Sequence, residues 1–306
     1  MKILLTGASG QLGQELQPLL AGFGEVTTVD RQAGTGNSAN TLQQDLSDLN
    51  RFEILLNRMR PDLVVNAAAY TAVDAAEKDP APAFRLNADL PGCLARWTQR
   101  NDCFLFHYST DYVFDGAKGE SYQEDDETGP GNVYGESKLA GELAIAASNC
   151  RHIILRTSWV YSAHGSNFVL SMLRLARERA ALSIVNDQTG CPTWARNLAS
   201  VSAEMIQQLL ARKSETNRDG LYHYCDNTVT TWHDFACSIF TNARDLGLLE
   251  TIPAITAVNS SEFPQVATRP VFSVLDTSAI KKVFGIEPAG LKESLLTCLE
   301  ELQENE

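Results

Sequence analysis

Tyr134 and Lys138 stand four residues apart in the stretch VYGESKLAGE, residues 133–142. The stretch is rich in helix formers, and residues i and i+4 of a helix share a face one turn apart. Ten residues leave two readings open. The pair is either a solvated helix face, with Lys138 reaching Glu142, or a phenol and an ammonium aimed at one substrate atom. The second reading implies proton transfer at that atom. An adjacent cation stabilises a tyrosine's phenolate and lowers a pKa that is ordinarily about 10. Ser109 and Thr110 close the preceding apolar run, CFLFHYST, and add two hydroxyls. Glu136 and Glu142 read as surface charge, and Gly135 and Gly141 as positions of close packing or ligand approach.

Upstream, Gly7, Gly10 and Gly13 are spaced Gly-x-x-Gly-x-x-Gly in TGASGQLG, between the apolar run KILLT and the amphipathic run QLGQELQPLLAG. A glycine loop joining a strand to a helix predicts a pyrophosphate site, with Gln11 and Leu12 at the helix start where free amides and the dipole favour anions. The second strand, EVTTVD, ends on Asp30, placed to accept from the ribose hydroxyls of a dinucleotide. That favours NADH, whereas Arg31 beside it suits the 2′-phosphate of NADPH, so both cofactors stay open.

The elements that position these residues alternate. Further strands are expected in DLVVNAAA, CFLFHYST and HIILRTSWVY, and helices in DLNRFEILLNRMRP and from about Pro82 to Arg100, with a kink or a restart at Pro91. Residues 31–44 read as a polar loop. Continuously apolar strands alternating with helices predict an α/β fold of the Rossmann type, a doubly wound parallel sheet whose ligands bind at the strands' carboxyl ends. Residues 1–160 form the expected dinucleotide-binding domain. Residues 161–306 are expected to build a smaller substrate-binding lobe, interleaved with the sheet.

Composition narrows the classes further. The 306 residues carry a formal net charge of −13, which argues against a nucleic-acid surface. The seven cysteines form no Cys-x-x-Cys pair and the five histidines show no metal-ligand spacing, so no metal is expected. The chain opens directly into the glycine loop, and no apolar run approaches the roughly 18 residues of a membrane span. A cytoplasmic protein is expected; a homodimer stays open.

The ordered set LLTGASGQLG, RPDLVVNAAAYTAVDAAE, HYSTDYVFDG, NVYGESKLAGE, RTSWVY, NDQTGCPT and ATRPVFSVLD resembles the extended branch of the short-chain dehydrogenase/reductase superfamily, which acts on nucleotide sugars. The resemblance implies NAD(P)H-dependent reduction of a 4-keto sugar nucleotide, with Tyr134 as general acid, Lys138 on the nicotinamide ribose and Thr110 polarising the carbonyl. It also implies that Asp45 and Leu46 flank the adenine, and that Ala68, Ala69, Tyr70 and Thr71 line the cofactor's central stretch. Asp111, Tyr112 and Trp159 would meet the sugar, while Asn167, Asn186, Gln188 and Arg269 would bind the diphosphate or the sugar. Epimerases and dehydratases share these motifs, as does a non-catalytic NADP-binding subunit resembling the regulatory subunit of methionine adenosyltransferase. Asp111–Tyr112 after Thr110 does not match the extra acidic residues of the dehydratases, which favours reduction.

Overall fold

Strands as apolar as LVVN need cover on both faces, and the helices between them supply it. The computed structural model describes residues 1–31, 40–211 and 218–304. In chain order the elements are β1 (Lys2–Thr6), α1 (Gln11–Ala21), β2 (Glu25–Asp30), β3 (Thr41–Gln43), α2 (Leu49–Met59), β4 (Leu63–Asn66), α3 (Val73–Lys78), α4 (Pro80–Phe84), α5 (Leu90–Arg100), β5 (Phe104–Thr110), α6 (Val133–Ala147), β6 (His152–Thr157) and β7 (Val160–Tyr161). The later half adds α7 (Phe168–Glu178), β8 (Ala181–Val185), β9 (Thr189–Gly190), β10 (Thr193–Trp194), α8 (Ala195–Ala211), β11 (Gly220–His223), β12 (Thr230–Thr231), α9 (Trp232–Asp245), β13 (Ala254–Val258), α10 (Ser278–Phe284) and α11 (Leu291–Glu304).

Seven strands form one parallel sheet in the order β11-β6-β5-β4-β1-β2-β3. The order reverses direction at β1, between β2 and β4, so a crevice opens above the carboxyl ends of β1 and β4. On one face Leu16 and Leu20 of α1, Leu198 and Met205 of α8 and Ile280 of α10 pack against Leu5, Val65 and Phe106. On the other, Phe52 and Leu56 of α2, Leu94 and Trp97 of α5 and Ile145 of α6 cover Leu4, Val64 and Leu105. A separate core joins α7, α9 and α11 through Val169, Leu173, Phe235, Ile239, Leu295 and Leu299.

Four local expectations change. The polar stretch 31–44 contains β3, a short edge strand beside β2, while residues 32–39 lie outside the described residues. HIILRTSWVY is two strands, broken where Trp159 takes φ 47°. The expected kink or restart at Pro91 takes the form of a π turn, Arg85–Asp89, from which α5 continues: Pro91 lacks the N–H that the Asn87 carbonyl would accept in a regular helix, and the ladder widens by one residue. Finally, Ala254–Val258 forms a strand parallel to β8 that periodicity did not reveal.

Glu142 is also corrected. It is 5% exposed, and both its oxygens bind Arg156, at 2.9 Å from Nε and 2.7 Å from Nη2. Arg156 lies on β6 inside the sheet, its guanidinium 4.9 Å over the Phe114 ring. The spacing that puts Lys138 on the inner face of α6 carries Glu142 there too, four residues on. Removing one member leaves the other buried and uncompensated, so Arg156→Met should cost about 3–5 kcal/mol in denaturant unfolding. The double variant Arg156→Met, Glu142→Leu should recover most of that loss; equal instability of the two variants would contradict the pairing.

Candidate active site

The position of Tyr134 begins with the end of α6. Asn132 caps the helix by accepting from the Gly135 N–H at 2.8 Å, and its own amide donates to the Thr268 carbonyl at 2.7 Å. Glu77 of α3 accepts from the Val133 N–H at 2.8 Å. Two glycines then bring the helix close to its neighbours: a Cβ at Gly135 would lie 2.2 Å from the Tyr112 carbonyl oxygen, and one at Gly141 would lie 2.1 Å from that of Asn87. The expected close packing is what those positions provide. Tyr134 is left half-buried, its ring edge-on to Tyr112 with centroids 5.7 Å apart. Lys138 is 3% exposed and donates from Nζ to the Tyr108 carbonyl at 2.6 Å, which ties α6 to β5.

Burial dominates the electrostatics. It pushes the Tyr134 phenol up to about 12, aided by the charge of Asp111 and opposed by the hydrogen bond with Thr110. Burial also lowers Lys138 to about 8 against the pull of Glu142. The expectation that Lys138 depresses the phenol is therefore not what the protein alone produces: the ammonium is committed to a backbone carbonyl, and Tyr134 stands as a neutral acid. Asp111 is 2% exposed; its Oδ1 accepts from the Thr110 hydroxyl at 2.9 Å. Burial pushes its carboxyl up to about 6, opposed by hydrogen bonds from Ser273 and Thr110.

A cleft of about 440 Å³ runs from the glycine loop to this helix, within the usual size of cofactor sites. Gly7, Gly10, Gln11, Leu12 and Gly13 line one wall, Asp30, Arg31 and Leu46 one end, and Ala68, Ala69 and Thr71 the floor beside Tyr134 and Lys138. The glycine loop is tight: a Cβ at Gly13 would come within 2.1 Å of the Gly7 carbonyl oxygen. Helix α1 starts without a side-chain cap, leaving its first amides for an anion. At the other end the hydroxyls of Ser109 and Thr157, both on the cleft wall, have no partner among the described residues. An anion cradle at one end and orphaned hydroxyls at the other fit a dinucleotide.

Some expected residues do other work. Asp30 faces the cleft but also braces the loop, accepting from the Ser9 N–H at 3.1 Å and from its hydroxyl. Asp45 is exposed, holds the Ser47 N–H at 2.9 Å, and does not line the cleft, unlike Leu46. Tyr70 is likewise absent from the lining; Asn87 holds its backbone at both ends, accepting from its N–H at 2.8 Å and donating to its carbonyl at 3.0 Å. The same Asn87 amide reaches Ser137, whose hydroxyl donates to the Tyr134 carbonyl, so the floor of the cleft is bonded to α6. Asn87 was not expected, because a π turn leaves no signature in side-chain spacing. Asn167 caps α7 and donates to the carbonyls of Ser162 and His164. Asn186 is exposed and accepts from Thr231 at 3.2 Å. Gln188 is buried, its Nε2 without a partner among the described residues. Arg269 is paired with Asp74 at 2.8 Å and bears on the Tyr112 phenol, whose ring lies edge-on to Tyr134. Trp159 has one face covered, stacked on Trp232 at 3.5 Å.

A family model described as the RmlD substrate binding domain matches residues 1–304. The chain belongs to the RmlD family. It is 42% identical over 305 residues, 99% of each chain, to a dTDP-4-dehydrorhamnose reductase of Burkholderia thailandensis. A dTDP-4-dehydrorhamnose reductase of Clostridium acetobutylicum has the same fold with a TM-score of 0.87 at 35% identity, covering 99% of this chain and 100% of that one. A dTDP-4-dehydrorhamnose reductase of Bacillus anthracis, solved in complex with NADP, gives a TM-score of 0.85 at 31% identity over 98% and 99% of the two chains. Among the described residues no helix is long and apolar enough to cross a membrane.

The Asp111 carboxyl yields a test by linkage. Its folded-state pKa is raised, so between the unfolded value near 3.8 and about 6 the native state binds more protons, and stability falls as pH rises through that window. Asp111→Asn removes this loss while keeping an acceptor for Thr110. It should stabilise the protein above pH 7, by up to about 3 kcal/mol, with the gain vanishing near pH 4. Thermal melts at the two pH values check it; a gain that is the same at both would contradict the assignment.

Proposed function

We propose that this chain is an NAD(P)H-dependent reductase of the C4 keto group of dTDP-4-dehydro-6-deoxy-L-mannose, giving dTDP-L-rhamnose. The observation that carries the reading is a neutral, partly exposed Tyr134 at the mouth of the glycine-loop cleft, in a chain whose full-length relatives bear that reductase name. Gly7, Gly10 and Gly13 with the first amides of α1 hold the cofactor's pyrophosphate, and Asp30 and Arg31 face its adenosine end. NADPH or NADH bound there supplies the hydride.

Thr110, at the end of β5, donates to the substrate carbonyl and stabilises charge developing on its oxygen. Its hydroxyl is turned toward Asp111 in the free protein and rotates to the carbonyl when substrate enters. Tyr134 then delivers its phenolic proton to that oxygen as general acid. Burial beside Asp111 makes the phenolate unfavourable in the free protein, which keeps the acid form loaded across the neutral range. Lys138, anchored on the Tyr108 carbonyl, keeps two further donors for ribose hydroxyls. Arg269, beside Tyr112, offers a planar fork to the diphosphate or the sugar. Tyr112, Trp159 and Gln188 complete the sugar side.

A coupled assay that generates the 4-keto sugar nucleotide tests the reading. Cofactor oxidation should depend on that substrate and stop after one equivalent. Tyr134→Phe should lower kcat/KM by roughly 10²–10⁴, with NADPH affinity largely unchanged. Full rate in the Phe variant would remove Tyr134 as proton donor. Cofactor that stays bound and is not consumed would instead mark an epimerase.

A further inference from the structure

Trp159 interrupts β6 and β7 with φ 47°, in the left-handed region that is costly for a bulky side chain. Two contacts hold it there. Its indole lies on that of Trp232 with centroids 3.5 Å apart and planes 5° from parallel. On its other contact, a Cβ at Gly190 would fall 2.5 Å from Trp159 Cε2, so only a glycine leaves room for the ring. Both contacts come from one small device. Strand β9 pairs antiparallel with β12, Gly190 opposite Thr230, and Trp232 follows β12 at the start of α9.

Trp232 is itself supported from behind. Phe168 packs 4.5 Å from it and stacks on Phe235, which lies 5.5 Å from Tyr161 in the core of α7, α9 and α11. At its other end β9 reaches toward Asp111: the Ser273 N–H donates to the Thr189 carbonyl at 2.9 Å, and the Ser273 side chain lowers the pKa of the buried Asp111 carboxyl. The residues on either side of the Ser158–Trp159 break, Thr157 and Val160, line the cleft. A half-exposed indole is thus clamped at the edge of the cleft by a row of aromatic rings that begins in the lobe core.

We propose that Trp232 is a positioning residue for sugar-nucleotide recognition, holding the Trp159 indole in its strained backbone conformation at the cleft mouth. The inference rests on the reductase reading and adds that the lobe core, through Trp232, sets affinity for the sugar nucleotide but not for the dinucleotide. Removing the stack lets the Trp159 backbone relax and the indole leave its place.

Calorimetric titration of the NADP-loaded protein with dTDP-L-rhamnose tests this, alongside steady-state KM for the keto substrate. Stacked aromatic pairs are worth enough that Trp232→Ala should weaken binding and raise KM roughly three- to tenfold, with kcat and NADPH affinity nearly unchanged. Trp232→Phe should restore most of the affinity, which guards against a folding defect in the Ala variant. Because Trp232 acts through Trp159, the double variant Trp159→Ala, Trp232→Ala should bind no worse than Trp159→Ala alone. Unchanged affinity in Trp232→Ala, or losses that simply add in the double variant, would overturn the proposal while leaving the reductase reading intact. A wild-type protein that does not bind dTDP-L-rhamnose at all would overturn both.

Discussion

The arrangement depends on how closely α6 can approach the end of β5. A buried ammonium needs an acceptor, and Lys138 finds it in the Tyr108 carbonyl at 2.6 Å, one residue before Ser109 and Thr110. That contact is possible only because Gly135 and Gly141 let the helix backbone touch Tyr112 and Asn87. Once α6 is seated, Tyr134 has one place to be, edge-on to Tyr112 and facing the strand ends. The Glu142–Arg156 pair fixes the same helix a turn further on, from inside the sheet. The helix is therefore held along its length by polar contacts that a slip in register would break.

Charge and burial around Tyr134 favour the neutral phenol. The desolvated phenol and the carboxyl of Asp111 both disfavour phenolate, and Lys138 spends one of its donors elsewhere. In the proposed reaction the acid therefore stays loaded until the substrate oxygen takes the proton. The cofactor end is built on different physics. There the uncapped start of α1 and a glycine loop with no room for side chains offer backbone amides, while Asp30 braces the loop through Ser9. In the proposed function, chemistry and cofactor hold fall to separate elements that meet across β1, β4 and β5.

Much of this was legible in the sequence. The strand–helix alternation, the glycine spacing and the Tyr134–Lys138 pair each follow from a short period or a local turn, and their order fixed the family resemblance. What was not legible depends on widening or breaking a period. The π turn before Pro91 hides Asn87, the left-handed Trp159 splits one apolar run into two strands, and β13 lies in a segment with no alternation strong enough to mark it. Glu142 was misread because a carboxylate on a helix is normally solvated, and nothing in its neighbours announces Arg156. Asp45 has its carboxylate taken by the Ser47 N–H, and Tyr70, held by its backbone on Asn87, is absent from the cleft lining.

In the proposed reaction the strand-end cleft presents the keto group to Thr110 and to the ring at position 134. A crystal structure of the Tyr134→Phe protein with NADPH and dTDP-4-dehydrorhamnose, trapped before proton transfer, tests it most directly. The C4 oxygen should lie within hydrogen-bonding distance of Thr110 Oγ1 and face the ring at position 134. A sugar bound with its C4 oxygen turned away from β5 and α6 would contradict it.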